Sequence, residues 1–108
     1  MTEWQIEVLP QAESELLALP ADMRARFVHI AQLLAEFGPQ HVGMPHVRPL
    51  ENKLWEMRMT GRDGIARAIY VARAEQRLTV LHVFVKKTQK TPRGAIETAA
   101  ERLRSIKR

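Results

Sequence analysis

Residues 54 to 85 read as three strands separated by two very short turns. In the first, Trp55, Met57 and Met59 alternate with Leu54, Glu56 and Arg58. T-G-R-D-G at 60–64 then supplies two glycines and an aspartate for a reversal. A polar tip, Ala74-Glu75-Gln76, separates a strand at 65–73 from one at 77–85. Turns this short join antiparallel neighbours, whereas parallel strands need a crossover of roughly a dozen residues or more. The centre of the fold is therefore expected to be an antiparallel meander.

Periodicity places the rest of the chain around it. W-Q-I-E-V-L at 4–9 alternates and predicts a short strand with Trp4, Ile6 and Val8 on one face. Pro10 suits the first position of a helix, and Glu13 and Glu15 lie near the positive end of its dipole, so 10–19 is predicted helical and is interrupted by Pro20. Met23, Phe27, Ile30, Leu34 and Phe37 form one stripe of a second, amphipathic helix that Gly38-Pro39 stops. Pro39, Gly43, Pro45 and Pro49 make 39–53 a loop. Thr91 and Pro92 read as the N-cap and first turn of a last helix, whose apolar side carries Ile96, Ala99, Ala100 and Leu103. The expectation is one α+β domain over residues 1–108, with an antiparallel sheet of about four strands, two N-terminal helices and a C-terminal helix.

Composition narrows the chemistry. The chain has no cysteine, which excludes disulfides and thiolate zinc sites, and His29, His41 and His46 lack zinc-ligand spacing. No metal or other cofactor is expected, since G-x-S-x-G, Walker A and dinucleotide motifs are absent. Neither a signal peptide nor a long apolar run is visible, so a soluble cytoplasmic protein is expected, without a membrane partner. Charge is unevenly spread. Residues 1–50 carry three cations against six acids, a net of −3, while 86–108 carry eight cations against two acids, a net of +6. With a pI of about 10.2, this asymmetry points to a polyanion, nucleic acid first and an acidic protein second.

The apolar strand V-L-H-V-F-V ends in K-K-T-Q-K-T-P, where Lys86, Lys87 and Lys90 repel one another unless an anion lies near. Alternation puts Arg58 with Glu56, Arg67 with Ile69 and Val71, and Lys86 with His82 and Phe84. If these share one face, they form a cationic floor with an aromatic ring, suited to an RNA backbone and a stacked base. Arg67, Lys86, Lys87 and His82 are the candidates for chemistry. Arg58, Arg62 in the turn, Lys90 and Phe84 are the candidates for RNA contact. Plainer roles stand beside these: the lysines can solubilise a strand end, His82 can be a hydrogen-bonded core residue, and Arg67 can pair with Glu56. The last strand is apolar on both sides, so its facing stays open, and a bulge would exchange Lys86 for Lys87.

L-W-E-M-R at 54–58, G-I-A-R-A-I-Y at 64–70 and V-L-H-V-F-V-K-K-T-Q-K-T-P at 80–92, followed by a helix containing G-A-I-E-T-A, resemble the RelE/ParE toxin superfamily in its phage-derived HigB-like branch. The resemblance implies the toxin of a type II toxin-antitoxin system. Its activity would be that of a metal-free endoribonuclease, an mRNA interferase acting on messenger RNA at the ribosome and so inhibiting translation. It implies a cognate antitoxin partner, HigA-like with a helix-turn-helix. The arginine of G-x-x-R falls on Arg67, that of L-W-E-x-R on Arg58, and the basic pair on Lys86 and Lys87. The C-terminal aromatic or histidine acid/base of such nucleases has no counterpart in the last helix, and Tyr70 alternates away from Arg67. Two other classes remain open: a ParE-like DNA gyrase poison, and a non-catalytic module that binds RNA or antitoxin.

Overall fold

The computed structural model describes residues 3–86 and 90–106. The meander forms as β3 (Leu54–Gly61), β4 (Gly64–Arg73) and β5 (Arg77–Lys86), all antiparallel. Gly61 pairs with Gly64 across the Arg62-Asp63 turn, and Gly64 adopts a φ of +142°, a conformation that side chains disfavour. At the other tip, Glu75 and Gln76 take positive φ values of 64° and 55°.

Ahead of the meander come β1 (Gln5–Val8), α1 (Pro10–Leu17), α2 (Ala21–Phe37) and a 3-10 turn at Pro39–His41. Two features differ from expectation. Val47–Pro49, inside the segment read as loop, is a strand (β2) paired antiparallel with β3. It is three residues long and lies at the sheet edge, where proline is tolerated, so it left no alternating pattern. β1 pairs with β5 in parallel, and alternation carries no information about direction. The sheet therefore has five strands in the order β1-β5-β4-β3-β2. The chain closes with α3 (Arg93–Ile106).

Helices lie on both faces. Met23, Phe27, Ile30 and Leu34 of α2 pack with Met57, Met59, Ala66, Ala68, Tyr70, Leu78, Val80 and Val83. The predicted stripe ends there, since Phe37 is half exposed at 52%. On the opposite face α3 covers Leu54, Ile69, Val71 and Leu81 with Ala95, Ile96 and Ala99. β5 carries one residue more than β4 between the pairs Ile69–His82 and Tyr70–Val80. That bulge leaves Leu81 without a partner on β4 and shifts the alternation of everything after it. No helix among the described residues is long and apolar enough to cross a membrane.

The Arg62 main-chain N–H donates to Asp22 Oδ2 at 2.7 Å, so the start of α2 holds the β3–β4 turn. A Cβ added at Gly61 would stand 2.8 Å from Met23 Cγ and 2.9 Å from Asp22 Oδ2. Gly61→Ala is therefore expected to destabilise by about 1–3 kcal/mol through overpacking, read from the midpoint of urea denaturation.

Candidate functional site

The cross-strand register assembles the face beneath and beside α3. Arg58, Arg67 and Phe84 are opposite one another on β3, β4 and β5. Thr60, Ile65 and Lys86 form the next row toward the open end, and Glu56, Ile69 and His82 the next toward α3. Residues directly opposite in an antiparallel sheet share a face. The structure thus brings Arg58, Arg67, Phe84, His82 and Lys86 onto one surface, and the facing of β5 that the sequence left open is decided by the bulge at Leu81.

Glu56 is the anchor of this surface. Its side chain is fully buried and accepts hydrogen bonds from Arg67 Nη1 at 2.8 Å and Arg48 Nε at 2.8 Å, and from the Thr91 hydroxyl. Thr91 also accepts from Arg48 Nη2 at 3.3 Å. The hydroxyl expected to cap α3 is thus committed to the sheet. Arg67 is itself 0% exposed, and the Arg67–Glu56 pair is the plainer of the two roles its sequence position allowed. Arg58, one residue across on β3, is half-buried, and among the described residues it makes no ion pair and its Nε has no hydrogen-bond partner.

Lys86 is half-buried at the edge of this cluster. Desolvation and then the nearby charge of Arg67 hold its ammonium pKa below the ordinary lysine value, with Arg48 and Lys90 adding to the effect and Glu56 opposing it. Lys86 and the exposed Lys90 line a cleft of about 630 Å³ between the sheet and the start of α3, together with Glu51, Thr91, Pro92, Arg93 and Ile96. On its rim, Arg93 binds Glu51 through two hydrogen bonds of 2.7 and 2.6 Å. That contact holds the Glu51 carboxyl below its usual range.

His82 belongs to a second polar cluster. Its Nδ1 lies 3.0 Å from Glu15 Oε1, and Arg102 reaches the same carboxylate with Nη1 at 3.1 Å and Nη2 at 3.0 Å. Val83 N–H donates to Glu15 at 2.9 Å, and Arg102 Nη1 to the Leu81 carbonyl at 2.9 Å. Burial works to raise the Glu15 pKa, but hydrogen bonds from Arg102, Val83 and His82 outweigh it and the net shift is downward. The His82 ring stacks on Phe84 with centroids 5.1 Å apart. Arg62 is exposed on the β3–β4 turn, and Lys87 lies outside the described residues.

Arg48 and Arg102 were not singled out from sequence, and Thr91 and Glu15 entered only as helix-end residues. Arg48 sits among prolines without a period to assign its face. Glu15 was placed only by the helix dipole, and nothing local shows that it meets Arg102 across 87 positions.

The fold is that of RelE toxins. It is similar to the Pyrococcus horikoshii OT3 RelE-RelB complex, with 24% identity and a TM-score of 0.58 over 79% of this chain and 96% of that one. It is also similar to the Escherichia coli toxin RelE, solved free as a double arginine-to-alanine mutant, with 16% identity and a TM-score of 0.61 over 98% and 99% of the two chains. Within that fold class the chain belongs to the family described as phage-derived protein Gp49-like, whose profile matches residues 14–104. No curated protein matches it. The superfamily read from the strand motifs is thus borne out, with five strands where about four were expected.

The two arginines opposite each other on β3 and β4 should respond differently to removal. Glu56→Ala removes the buried carboxylate that Arg67 and Arg48 share and is expected to cost about 3–5 kcal/mol, whereas Arg67→Ala leaves Glu56 its contacts with Arg48 and Thr91 and should cost less than that. Arg58→Ala breaks no ion pair and should cost under about 1 kcal/mol. Denaturant melts of the three variants check this ordering.

Proposed function

We propose that this protein is the toxin of a type II toxin-antitoxin pair and an endoribonuclease that cleaves messenger RNA on the ribosome without a metal. The observation that supports it is Arg58, a half-buried guanidinium with no acid partner among the described residues, on the same sheet face as Lys86 and next to the Arg67–Glu56 pair. A guanidinium so placed is preorganised for a phosphate, whose two oxygens match its planar fork.

In the reaction, a ribose 2′-hydroxyl gives its proton to water as its oxygen bonds to the adjacent phosphorus, and the bond from phosphorus to the 5′-oxygen of the next nucleotide breaks as that oxygen takes a proton from water. Negative charge grows on the phosphoryl oxygens in between. Fixed cations stabilise that charge more in the transition state than in the substrate. Arg58 holds the scissile phosphate in this reading. Lys86 and Lys87 stabilise the developing charge, and Arg67 adds its positive field from beneath. Phe84 offers a ring face to a base, while Lys90 and Arg62 draw in the flanking backbone. His82, held by Glu15, stacks behind Phe84 and supports it. The products are a 2′,3′-cyclic phosphate and a 5′-hydroxyl. The archaeal relative was solved as a RelE-RelB complex, which supports a cognate antitoxin as the partner here.

Cell-free translation with transcript mapping tests the reading: discrete cuts are expected, and arrest of supercoiling without cuts would replace it with gyrase poisoning. Arg58→Ala should keep its melt yet lose on the order of 10² to 10³ in cleavage rate, the usual loss for one electrostatic contact to a transition state. Because the Lys86 pKa is lowered and its charged form is the useful one, cleavage should fall on the alkaline side at a lower pH than an ordinary lysine would dictate. Lys86→Arg should move that limb upward, as pH–rate profiles of the two proteins will show.

RNA binding should also weaken with salt, with a logarithmic slope of about 0.7 per neutralised phosphate. Filter binding of a short single strand at several salt concentrations measures it, and Lys90→Ala is expected to flatten the slope.

A further inference from the structure

Two lysines line the cleft beside α3, Lys90 exposed and Lys86 half-buried. Among the described residues Lys86 has no hydrogen bond and no ion pair. The charges that bear on its amine are Arg67, Arg48 and Lys90, against Glu56 alone. Glu56 already accepts from Arg67, Arg48 and Thr91, so little of its charge is left for Lys86. The surroundings therefore desolvate the amine and are net cationic. Both conditions activate a lysine as a nucleophile, because each favours the free amine over the ammonium. The amine pKa is held below the ordinary lysine value accordingly. The same cations attract an anion into the cleft.

We propose that Lys86 is an acyl-acceptor site, whose amine takes the acyl group of a small acyl phosphate while the surrounding cations hold the phosphoryl end. The reagent needs negative charge to enter and an electrophilic carbon to react, and an acyl phosphate joins the two through one oxygen. The cleft, at about 630 Å³, lies in the range of about 300–1,000 Å³ usual for small-molecule sites. The free amine nitrogen bonds to the carbonyl carbon, and the bond from that carbon to the bridging oxygen breaks. The electron pair leaves with the phosphate, which takes up the proton that the amine loses. The products are an amide at Lys86 and hydrogen phosphate. Acylation removes the positive charge of the side chain. Its consequence, arrest of cleavage, rests on the nuclease reading, in which Lys86 stabilises developing charge; the acylation itself does not.

Acetyl phosphate is the probe and acetic anhydride, which is uncharged, the comparison. The full-length protein would be exposed to each, and acetylation of every lysine followed by peptide mass mapping, which needs neither RNA nor ribosome. With acetyl phosphate, Lys86 should react at least about tenfold faster than the exposed Lys53, the low end of what a cationic cleft adds to the local concentration of an anion. The preference should shrink with acetic anhydride. Inorganic phosphate should slow Lys86 and leave Lys53 unchanged. Lys90→Gln alters an exposed side chain, so the variant should fold, and it should reduce the advantage of acetyl phosphate over acetic anhydride at Lys86. Label spread evenly over the lysines would overturn the proposal, as would a Lys86 preference that is equal for the two reagents or indifferent to phosphate. Selective labelling of a protein that cuts no RNA would support the acylation and sink only the nuclease reading.

Discussion

A carboxylate with three partners organises this molecule. Glu56 is fully buried and joins Arg67 on β4, Arg48 on β2 and Thr91 just before α3. Without it, Arg58 and Arg67 would be two cations directly opposite on adjacent strands, with one of them wholly out of water. An unpaired charge in that position is strongly unfavourable, and the hydrogen-bonded pair makes it tolerable. One acid therefore lets two guanidinium groups occupy facing positions on neighbouring strands of the same surface. It also ties the short edge strand β2 to the centre of the sheet.

A second carboxylate completes the arrangement. Glu15 of α1 takes two hydrogen bonds from Arg102 of α3, with the Val83 N–H and His82 on the same oxygen. α3 is consequently fastened near both ends, at Thr91 through Glu56 and at Arg102 through Glu15. Between these fastenings, Ala95, Ile96 and Ala99 press on Ile69 and Leu81. The cleft that holds Lys86 and Lys90 lies beside the first of them, so its width follows from where the two carboxylates put the helix.

Much of this was legible in the chain. Breakers and alternation located β3, β4 and β5, and alternation alone put Arg58 with Glu56 and Tyr70 opposite Arg67. The Met23–Leu34 stripe marked the buried side of α2 correctly, because an amphipathic helix over a sheet must show one. β2 was missed because three residues ending in proline carry no period. The parallel docking of β1 was missed because strand direction depends on the path of the chain. The two carboxylate clusters were hidden for a related reason. Each gathers residues from distant elements, and a single charged residue on a strand or helix looks the same whether it faces water or a partner far along the sequence.

The extra residue in β5 has a consequence for how this family can change. Leu78 and Val80 point into the α1–α2 core, and uninterrupted alternation would send His82, Phe84 and Lys86 after them. The bulge reverses the phase, so these three emerge with the arginines and Val83 takes the core position. The character of the strand end is thus set by a residue count as well as by residue types. Drift by substitution can tune that surface gradually, but loss of a single codon near Leu81 would turn it inside out in one step.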